Sequence, residues 1–251
     1  MVLILAGLAA MAQTVAAPAM VPSPRLAALC AAAERKSDPQ PIELHDLATC
    51  LFHGHGGTRD LVRARALYRQ AADRGFARSH CALGNMLVDG LGGPTDVAAG
   101  LALCRRGAEA GEAHAQTDLG NYLLEGRVLP RDVVEARRWY LLAARQGQAN
   151  AALVLGQIYW NGDGVAKDNA EAARWWRVAH EGGRLDAANL LGREAFIRVT
   201  RSATRPEALD RAALAEALRW FDLAAETDPS EAKRTEARQA AALLRQLQTA
   251  R

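Results

Sequence analysis

Between residues 150 and 183 the apolar residues fall into two stripes, each with the three- and four-residue spacing of an α-helix. The first stripe comprises Ala152, Leu155, Gly156, Tyr159 and Trp160, and the second comprises Ala172, Trp175, Trp176 and Ala179. Between the stripes stand Gly162, Asp163 and Gly164, a combination that interrupts a helix. The pattern therefore predicts two helices joined by a short turn, which is a helix hairpin.

The second predicted helix carries signals at both of its ends. Asp168 is placed to cap the amino end by accepting backbone N–H groups, and Glu171 supports that end electrostatically. Gly182 or Gly183 can adopt the left-handed conformation that ends the helix. These signals predict a second helix that begins just after residue 168 and ends near residue 182.

The hairpin pattern repeats along the chain with a period of 36 residues. Four sets of residues show this step: Gly84, Gly120, Gly156 and Gly192; Gly54, Gly90, Gly126 and Gly162; Asp60, Asp96, Asp132 and Asp168; Gly75, Gly111, Gly147 and Gly183. A fixed period of this length is typical of a solenoid, in which each unit buries its apolar face by stacking on its neighbours.

The glycines of the first set fall inside predicted helices, where a glycine costs about 1 kcal/mol relative to alanine. Close approach of two helices is a physical reason to keep them. We expect the opposing small residues to be Ala72, Ala108 and Ala144 on the second helices.

The segment LGQIYWNGDGVAKD, followed by Ala172, Trp175, Trp176, Ala179 and Gly182, closely resembles the Sel-1-like repeat, an α/α relative of the tetratricopeptide repeat. The resemblance covers about residues 43 to 229. It implies an all-α fold, a right-handed α/α solenoid of about five helix hairpins. The second unit departs from the pattern, with Leu103 and Cys104 at the aromatic pair. In the fifth unit the pair Trp220 and Phe221 comes 45 residues after Trp175 and Trp176, and the added segment IRVTRSATRPEALD is expected to form a loop or short helix.

The chain divides into three predicted parts: a leader at residues 1–20, the solenoid at 23–229 and a C-terminal capping helix at 230–251. Such a helix covers the exposed end of a solenoid. We expect its inward residues to be Ala237, Ala240, Ala241, Leu244 and Leu247.

The first 24 residues contain no charged side chain, and the apolar run is followed by small residues, as in a secretory signal peptide. We therefore predict an exported, periplasmic or secreted protein whose mature chain begins between about Gln13 and Pro18. The alternative is an uncleaved membrane anchor, because the uncharged run is nearly long enough to span a bilayer.

Four cysteines follow the leader, and an even number in an exported chain favours disulfides. Cys30 and Cys50 are nearly equidistant from the turn at Asp38 to Pro41, and Cys81 and Cys104 from the turn at Gly92 to Pro94. Residues equidistant from the turn of an antiparallel hairpin face each other, so the spacing predicts disulfides Cys30–Cys50 and Cys81–Cys104. The alternative is four buried free thiols that act as small hydrophobic residues.

Charge and motifs indicate no nucleic-acid partner, no metal and no cofactor. The net charge of +3 is too small to indicate binding to nucleic acid or anionic lipid. His45, Cys50, His53 and His55 do not have the spacing of a zinc site, and a surface loop explains the last two better. Ser230 and Lys233 match Ser-x-x-Lys, but neither Ser-Asp-Asn nor Lys-Thr-Gly occurs, so Ser230 is expected to cap a helix and no residue is predicted to be catalytic.

The polar faces of the first helices are the candidate binding surface. Stacking places these faces side by side, on what we expect to be the concave side of the solenoid. The candidate residues are Asn85, Asp89, His114, Asp118, Asn121, Glu125, Asn150, Gln157, Asn161 and Arg193. The alternative is an ordinary solvated helix face. The aromatic pairs Trp139 with Tyr140 and Trp175 with Trp176 are expected in the core rather than in a ring-stacking site, because they recur at one position of the repeat.

The resemblance implies an exported repeat scaffold that binds a protein or peptide, as an adaptor or a regulator of envelope signalling. Two alternatives stay open. Some cysteine-rich relatives of this repeat are described as β-lactam hydrolases. The resemblance therefore also allows a hydrolase that acts on β-lactams or cell-wall peptides. A scaffold for envelope polysaccharide assembly is the third candidate. A membrane is a partner only if the leader is uncleaved.

Overall fold

Helix hairpins built from two helices of 13 residues each follow one another along most of this computed structural model. The structure describes residue 28, residues 30–31, residue 35 and residues 37–55, 57–202 and 210–249. These residues contain eleven α-helices and no strand. The predicted leader, its predicted cleavage site and half of the segment IRVTRSATRPEALD, residues 203–209, lie outside the described residues.

Ten of the helices pair into five hairpins, numbered along the chain. Hairpin 1 consists of α1 (Pro41–His53) and α2 (Leu61–Asp73), and hairpin 2 of α3 (Ala77–Asp89) and α4 (Val97–Glu109). Hairpin 3 consists of α5 (Ala113–Glu125) and α6 (Val133–Arg145), and hairpin 4 of α7 (Ala149–Asn161) and α8 (Asn169–Glu181). Hairpin 5 consists of α9 (Ala187–Ser202) and α10 (Arg211–Thr227), and α11 (Glu231–Thr249) packs on α10.

The predicted caps form. Each second helix begins after an aspartate whose side chain accepts a hydrogen bond from the backbone N–H three residues later, at Asp60, Asp96, Asp132, Asp168 and Asp210. The first helices of hairpins 1 to 4 end at a left-handed glycine, at Gly54, Gly90, Gly126 and Gly162. After α8 the left-handed residue is Gly183 and not Gly182. In hairpins 1 to 4 these local signals fix the helix length at 13 residues.

The buried core follows the second helices. Tyr68, Cys104, Tyr140 and Trp176 occupy one position of the repeat and are each at most 5% exposed. Phe221 takes the same place in hairpin 5. The partners in the predicted aromatic pairs, Trp139 and Trp175, are only partly buried. One core cluster runs through hairpins 2 to 4 and into α9, and a second joins α9, α10 and α11.

The repeated glycines do mark close helix approach, but the expected alanine surface is wrong. A Cβ on Gly120 or Gly192 would lie 2.9 Å from the ring of Tyr140 or Phe221, and one on Gly156 would collide with the indole of Trp176. In hairpin 2, a Cβ on Gly84 would meet the backbone oxygen of Gly100 at 2.5 Å and the sulfur of Cys104. The glycines therefore make room for the aromatic ring of the second helix in hairpins 3 to 5, and for the disulfide and close backbone approach in hairpin 2.

Ala72, Ala108 and Ala144 lie elsewhere. They are buried near the ends of the second helices, where their carbonyl groups accept the N–H groups of Gly75, Gly111 and Gly147. A spacing of 36 residues locates equivalent positions but not the residue that faces them across a hairpin, which is why the expectation failed.

Both predicted disulfides are present. Cys30 pairs with Cys50 of α1, with 5.8 Å between their Cα atoms, and Cys81 of α3 pairs with Cys104 of α4, with 4.0 Å between theirs. Within the described residues no cysteine is free, so the alternative of four buried thiols is wrong. The second disulfide occupies the place that an aromatic ring fills in hairpins 3 and 4.

The last helix covers the end of the array with Ala237, Ala241 and Leu244, all at most 1% exposed. Leu247, expected to face inward, lies in the last turn of α11 and is 39% exposed, so it is not part of the buried end. In hairpin 5 the first part of the added segment continues α9 as far as Ser202. This helix is therefore longer than the first helices of hairpins 1 to 4, which have 13 residues each. Within the described residues, every helix is too short or too polar to cross a membrane.

Candidate functional site

A groove of about 420 Å³ crosses the first helices of hairpins 1, 2 and 3. We call it the acidic groove. Its lining consists of Phe52, His53, Tyr68, Ala82, Asn85, Met86, Asp89, Leu91, Asp118, Asn121, Tyr122, Glu125 and Arg127. Apolar side chains and three carboxylates thus share one surface depression.

Helical spacing explains how these side chains meet. On α5, Asp118, Asn121 and Glu125 lie three and four residues apart and so occupy one face of the helix. On α3, Asn85 and Asp89 are related in the same way. Because α3 and α5 are first helices of consecutive hairpins, their polar faces stand next to each other and form one lining.

Asn85 is the centre of a hydrogen-bond network between the two hairpins. Its Nδ2 donates to Oδ2 of Asp118 over 2.7 Å, and its Oδ1 accepts from the hydroxyl of Tyr122 over 2.8 Å. Among the described residues, Oδ1 of Asp118 has no hydrogen-bond donor. The network fixes Asp118 in place while leaving one of its carboxylate oxygens available.

Burial governs the ionisation of the groove. It raises the pKa of Asp118 above its usual value, although the hydrogen bond from Asn85 and the nearby His114 oppose this effect. Burial, together with the charges of Asp118 and Asp89, raises the pKa of Tyr122 to about 12. Tyr122 therefore keeps its proton at neutral pH, and the negative charge of Asp118 is costly without a cation nearby.

The disulfide of hairpin 2 lies beneath this network. The sulfur of Cys81 is 3.5 Å from Oδ2 of Asp118, and the sulfur of Cys104 is 3.3 Å from Oδ1 of Asn85. The covalent bond joins α3 to α4 directly below the two polar side chains. It therefore supports the floor of the groove.

The structure brings five of the ten candidate residues together in the acidic groove: Asn85, Asp89, Asp118, Asn121 and Glu125. The others lie apart from it. His114 lines a separate depression with Arg78 and Gln148, and Asn150 accepts from Arg184 over 2.6 Å. Gln157 and Asn161 bond to each other over 2.8 Å in hairpin 4, and Arg193 is exposed on α9.

The recurring amides Asn85, Asn121 and Gln157 do not act alike. Asn121 accepts from the buried hydroxyl of Tyr140 over 2.7 Å, and Asn85 holds the network described above. Gln157 is exposed. Two of the three amides thus bond to buried or half-buried groups of neighbouring helices, whereas Gln157 bonds to Asn161 on its own exposed face.

The sequence pattern did not identify several residues of the groove lining as binding candidates: Phe52, His53, Tyr68, Met86, Leu91, Tyr122 and Arg127. At most of these positions the equivalent residue in other repeats is apolar. The residues therefore look like core residues in the sequence. The available signal was the hydroxyl group of Tyr122, because a buried tyrosine normally has a polar partner.

His53, His55 and the Ser-x-x-Lys match of the sequence lie at helix ends. The rings of His53 and His55 stack 5.0 Å apart at the end of α1. The described residues contain no group of three or more His, Cys, Asp or Glu side chains suited to a metal ion. The backbone N–H of Lys233 points to the hydroxyl of Ser230 over 3.5 Å, at the start of α11.

The family model described as Sel1 repeat matches residues 44–76, 77–112, 113–148, 149–183 and 212–227. The first four matches correspond closely to hairpins 1 to 4, and the last lies within α10. No curated protein matches the chain.

Three solved structures are similar in fold. A Sel1 repeat protein from Oxalobacter formigenes has a TM-score of 0.66 at 22% identity, over 88% of this chain and 98% of that chain. The protein c5321, a protective antigen present in uropathogenic Escherichia coli strains and displaying an SLR fold, has a TM-score of 0.67 at 25% identity, over 88% of this chain and 48% of that chain. PA5086 of Pseudomonas aeruginosa has a TM-score of 0.50 at 23% identity, over 87% and 73% of the two chains. The chain thus spans about half the length of c5321.

Proposed function

The chain belongs to the Sel1 repeat family, and from this premise we propose that it is an exported scaffold that binds a protein or peptide partner, as an adaptor or regulator in the cell envelope. The partner occupies the polar faces of the first helices, centred on the acidic groove. Asn85, Asp89, Asp118, Asn121 and Glu125 belong to this surface, and Gln157 and Asn161 extend it along hairpin 4.

The acidic groove is the observation that carries the proposal. It combines exposed carboxylates at Asp89 and Glu125 with a partly apolar floor to which the half-buried Phe52 and Leu91 contribute. A recognition site needs both features, because apolar contact supplies affinity while polar groups fix orientation. An ordinary solvated helix face would lack the floor.

Export is supported by the two disulfides. Disulfides form and persist in oxidising compartments and are rare in the cytosol. The leader predicted at residues 1–20 supplies a route to such a compartment. Mass spectrometry of the mature amino terminus tests this part, and a chain in the membrane fraction that retains Met1 would favour the anchor instead.

Site-specific photo-crosslinking in intact cells tests the binding surface. A photoreactive phenylalanine analogue replaces Glu125 on α5 in one variant and Arg138 on α6 in a matched control, since both side chains are exposed. We expect a discrete adduct from position 125 and a much weaker one from position 138. The adduct is identified by mass spectrometry.

A stronger adduct from position 138 would indicate that the partner binds the second helices instead, around Arg137, Arg138 and Arg174. No adduct at either position or at Gln157 would contradict the scaffold proposal. A follow-up with Glu125→Ala and Gln157→Ala should weaken binding of the identified partner about tenfold at an unchanged melting temperature. Asn121 is left intact in that variant because it accepts from the hydroxyl of Tyr140.

A further inference from the structure

The charge of the acidic groove is opposite to that of the chain. The chain carries a net charge of +3, whereas the groove lining contains three carboxylates, at Asp89, Asp118 and Glu125, against one arginine, Arg127. A concentration of one sign in a depression attracts ligands of the other sign and raises their association rate. The electrostatics therefore favour a cationic occupant.

The groove also offers aromatic rings beside its carboxylates. Phe52, Tyr68 and Tyr122 contribute to the lining. Aromatic faces attract guanidinium and ammonium groups, and apolar side chains accommodate the methylene groups of arginine and lysine. A basic side chain would match both components of the lining.

Two arginines of this protein already make such contacts at the edge of the groove. The guanidinium of Arg59 lies 5.4 Å from the ring centroid of Phe52. Arg127 approaches Asp89 with 4.0 Å between nitrogen and oxygen, and both of these side chains are largely exposed. An exposed ion pair this long contributes little to stability, so a ligand can replace Arg127 at small cost.

We propose that the acidic groove binds an arginine or lysine side chain from an extended basic segment of the partner protein, with the cationic head beside Asp118 and Glu125 and the aliphatic stem on the apolar lining at Leu91 and Tyr122. This inference rests on the proposed function and specifies the partner's chemistry. The hydrogen bond from Asn85 holds Asp118 in position, and its free carboxylate oxygen receives the cation.

A segment of a protein fits this groove better than a free small cation. Most of the lining comes from three successive first helices, α1, α3 and α5, so it can contact several successive residues of an extended chain. Exposed polar side chains continue beyond it at Gln157 and Asn161. A free cation would use only the part of the surface around the carboxylates.

The test compares two fluorescein-labelled, alanine-based peptides that differ in one chemical group. One carries several arginines, and the other carries citrulline at the same positions, which keeps the shape of the side chain and removes its charge. Binding to the mature, disulfide-bonded protein is measured by fluorescence anisotropy. We expect the arginine peptide to bind at least tenfold more tightly, and to lose affinity as salt is raised.

A pair of variants with equal charge locates the site. The groove variant combines Asp89→Asn, Asp118→Asn and Glu125→Gln, and the control combines Glu109→Gln, Glu181→Gln and Glu236→Gln, which are exposed carboxylates outside the groove lining. We expect the groove variant to bind the arginine peptide at least tenfold more weakly, and the control to stay within about threefold of the parent. Circular dichroism checks that both variants are folded.

Equal binding of the two peptides, no binding of the arginine peptide at millimolar concentration, or an equal loss in the control variant would each overturn the inference. Tight binding of free arginine with no gain from the peptide would indicate a small-molecule site instead. The crosslinking at Glu125 separates the two proposals: an adduct there with no preference for arginine refutes only the basic-segment inference.

Discussion

At the scale of single residues, the polar atoms of three large core side chains each have a hydrogen-bond partner on a neighbouring helix. The hydroxyl of Tyr68 lies 2.9 Å from that of Thr49, Tyr140 donates to Asn121, and the indole N–H of Trp176 donates to the carbonyl of Leu153 over 3.3 Å. An unpaired buried polar group costs about 1–3 kcal/mol, so these bonds keep the large core side chains compatible with the interior.

His45 is the residue whose ionisation should affect stability most clearly. It is 8% exposed, packs against the rings of Tyr68 and Phe76, and lies 2.9 Å from the hydroxyl of Ser79 through Nδ1. Burial, helped by the positive charge of Arg78 and opposed by Glu112, lowers its pKa from 6.5 to about 4. Folding therefore favours the neutral imidazole.

We expect this stabilisation to be fully present above pH 6.5 and to be lost as the pH falls toward 4. In that window the unfolded chain binds a proton that the folded chain does not. His45→Gln cannot titrate, so its melting temperature should fall less between pH 7 and pH 4.5 than that of the parent. Parallel melting curves of the two proteins across this range would show that His45 is not the titrating group.

At the scale of helices, the local signals and the packing have separate roles. Aspartate caps and left-handed glycines set where the helices begin and end. The glycines inside the first helices set how close the two helices of a hairpin come, because the ring or disulfide opposite leaves no space for a Cβ. Hairpin 1 has an alanine, Ala48, at this position, and it is fully buried.

Gly156→Leu should destabilise hairpin 4 by about 1–3 kcal/mol, as overpacking of a core typically does. The added side chain would collide with the indole of Trp176 and disturb its bond to the carbonyl of Leu153. Gln157→Leu, at the next position on the exposed face of the same helix, is the matched control and should change stability by about 0.5 kcal/mol or less. Chemical denaturation of both variants measures the difference. Equal stabilities would show that Gly156 does not mark close helix contact.

At the scale of the whole molecule, stability depends on contacts between neighbouring hairpins. The core cluster of hairpins 2 to 4 is distinct from the one that joins hairpin 5 to α11, although Trp220 packs against both. In such an array each unit stabilises mainly its immediate neighbours. The C-terminal helix therefore has its main effect on hairpin 5.

Deleting residues 230–251 should expose Leu214 and Phe221, which are buried in the cluster with α11. We expect amide hydrogen exchange to accelerate at least tenfold in α10, while α5 to α8 keep most of their protection. Exchange measured by mass spectrometry resolves the helices, with the full chain as reference. A uniform loss of protection in all hairpins would show that the array unfolds as one cooperative unit.

Local signals determined the helices and their ends, and the hairpin pattern of the sequence determined the pairing of the cysteines. A cap such as Asp168 and a left-handed glycine such as Gly162 act within about four residues, so the 36-residue period was enough to place them. The two disulfides followed because distance from a turn defines facing positions in an antiparallel hairpin. Because these signals act within one hairpin, the helix boundaries predicted for one repeat also held for the equivalent residues of the others.

Only the tertiary structure decided which residues face each other across helices and between hairpins. Asn85 was expected on an open polar face, but its partners Asp118 and Tyr122 come from the next hairpin, 33 and 37 residues away. Gly156 faces Trp176 and not an alanine, because side-chain volume and the offset between two helices determine the contact. The acidic groove exists because α1, α3 and α5 stand next to one another. A period along the sequence carries no information about how deep the depression between neighbouring helices is.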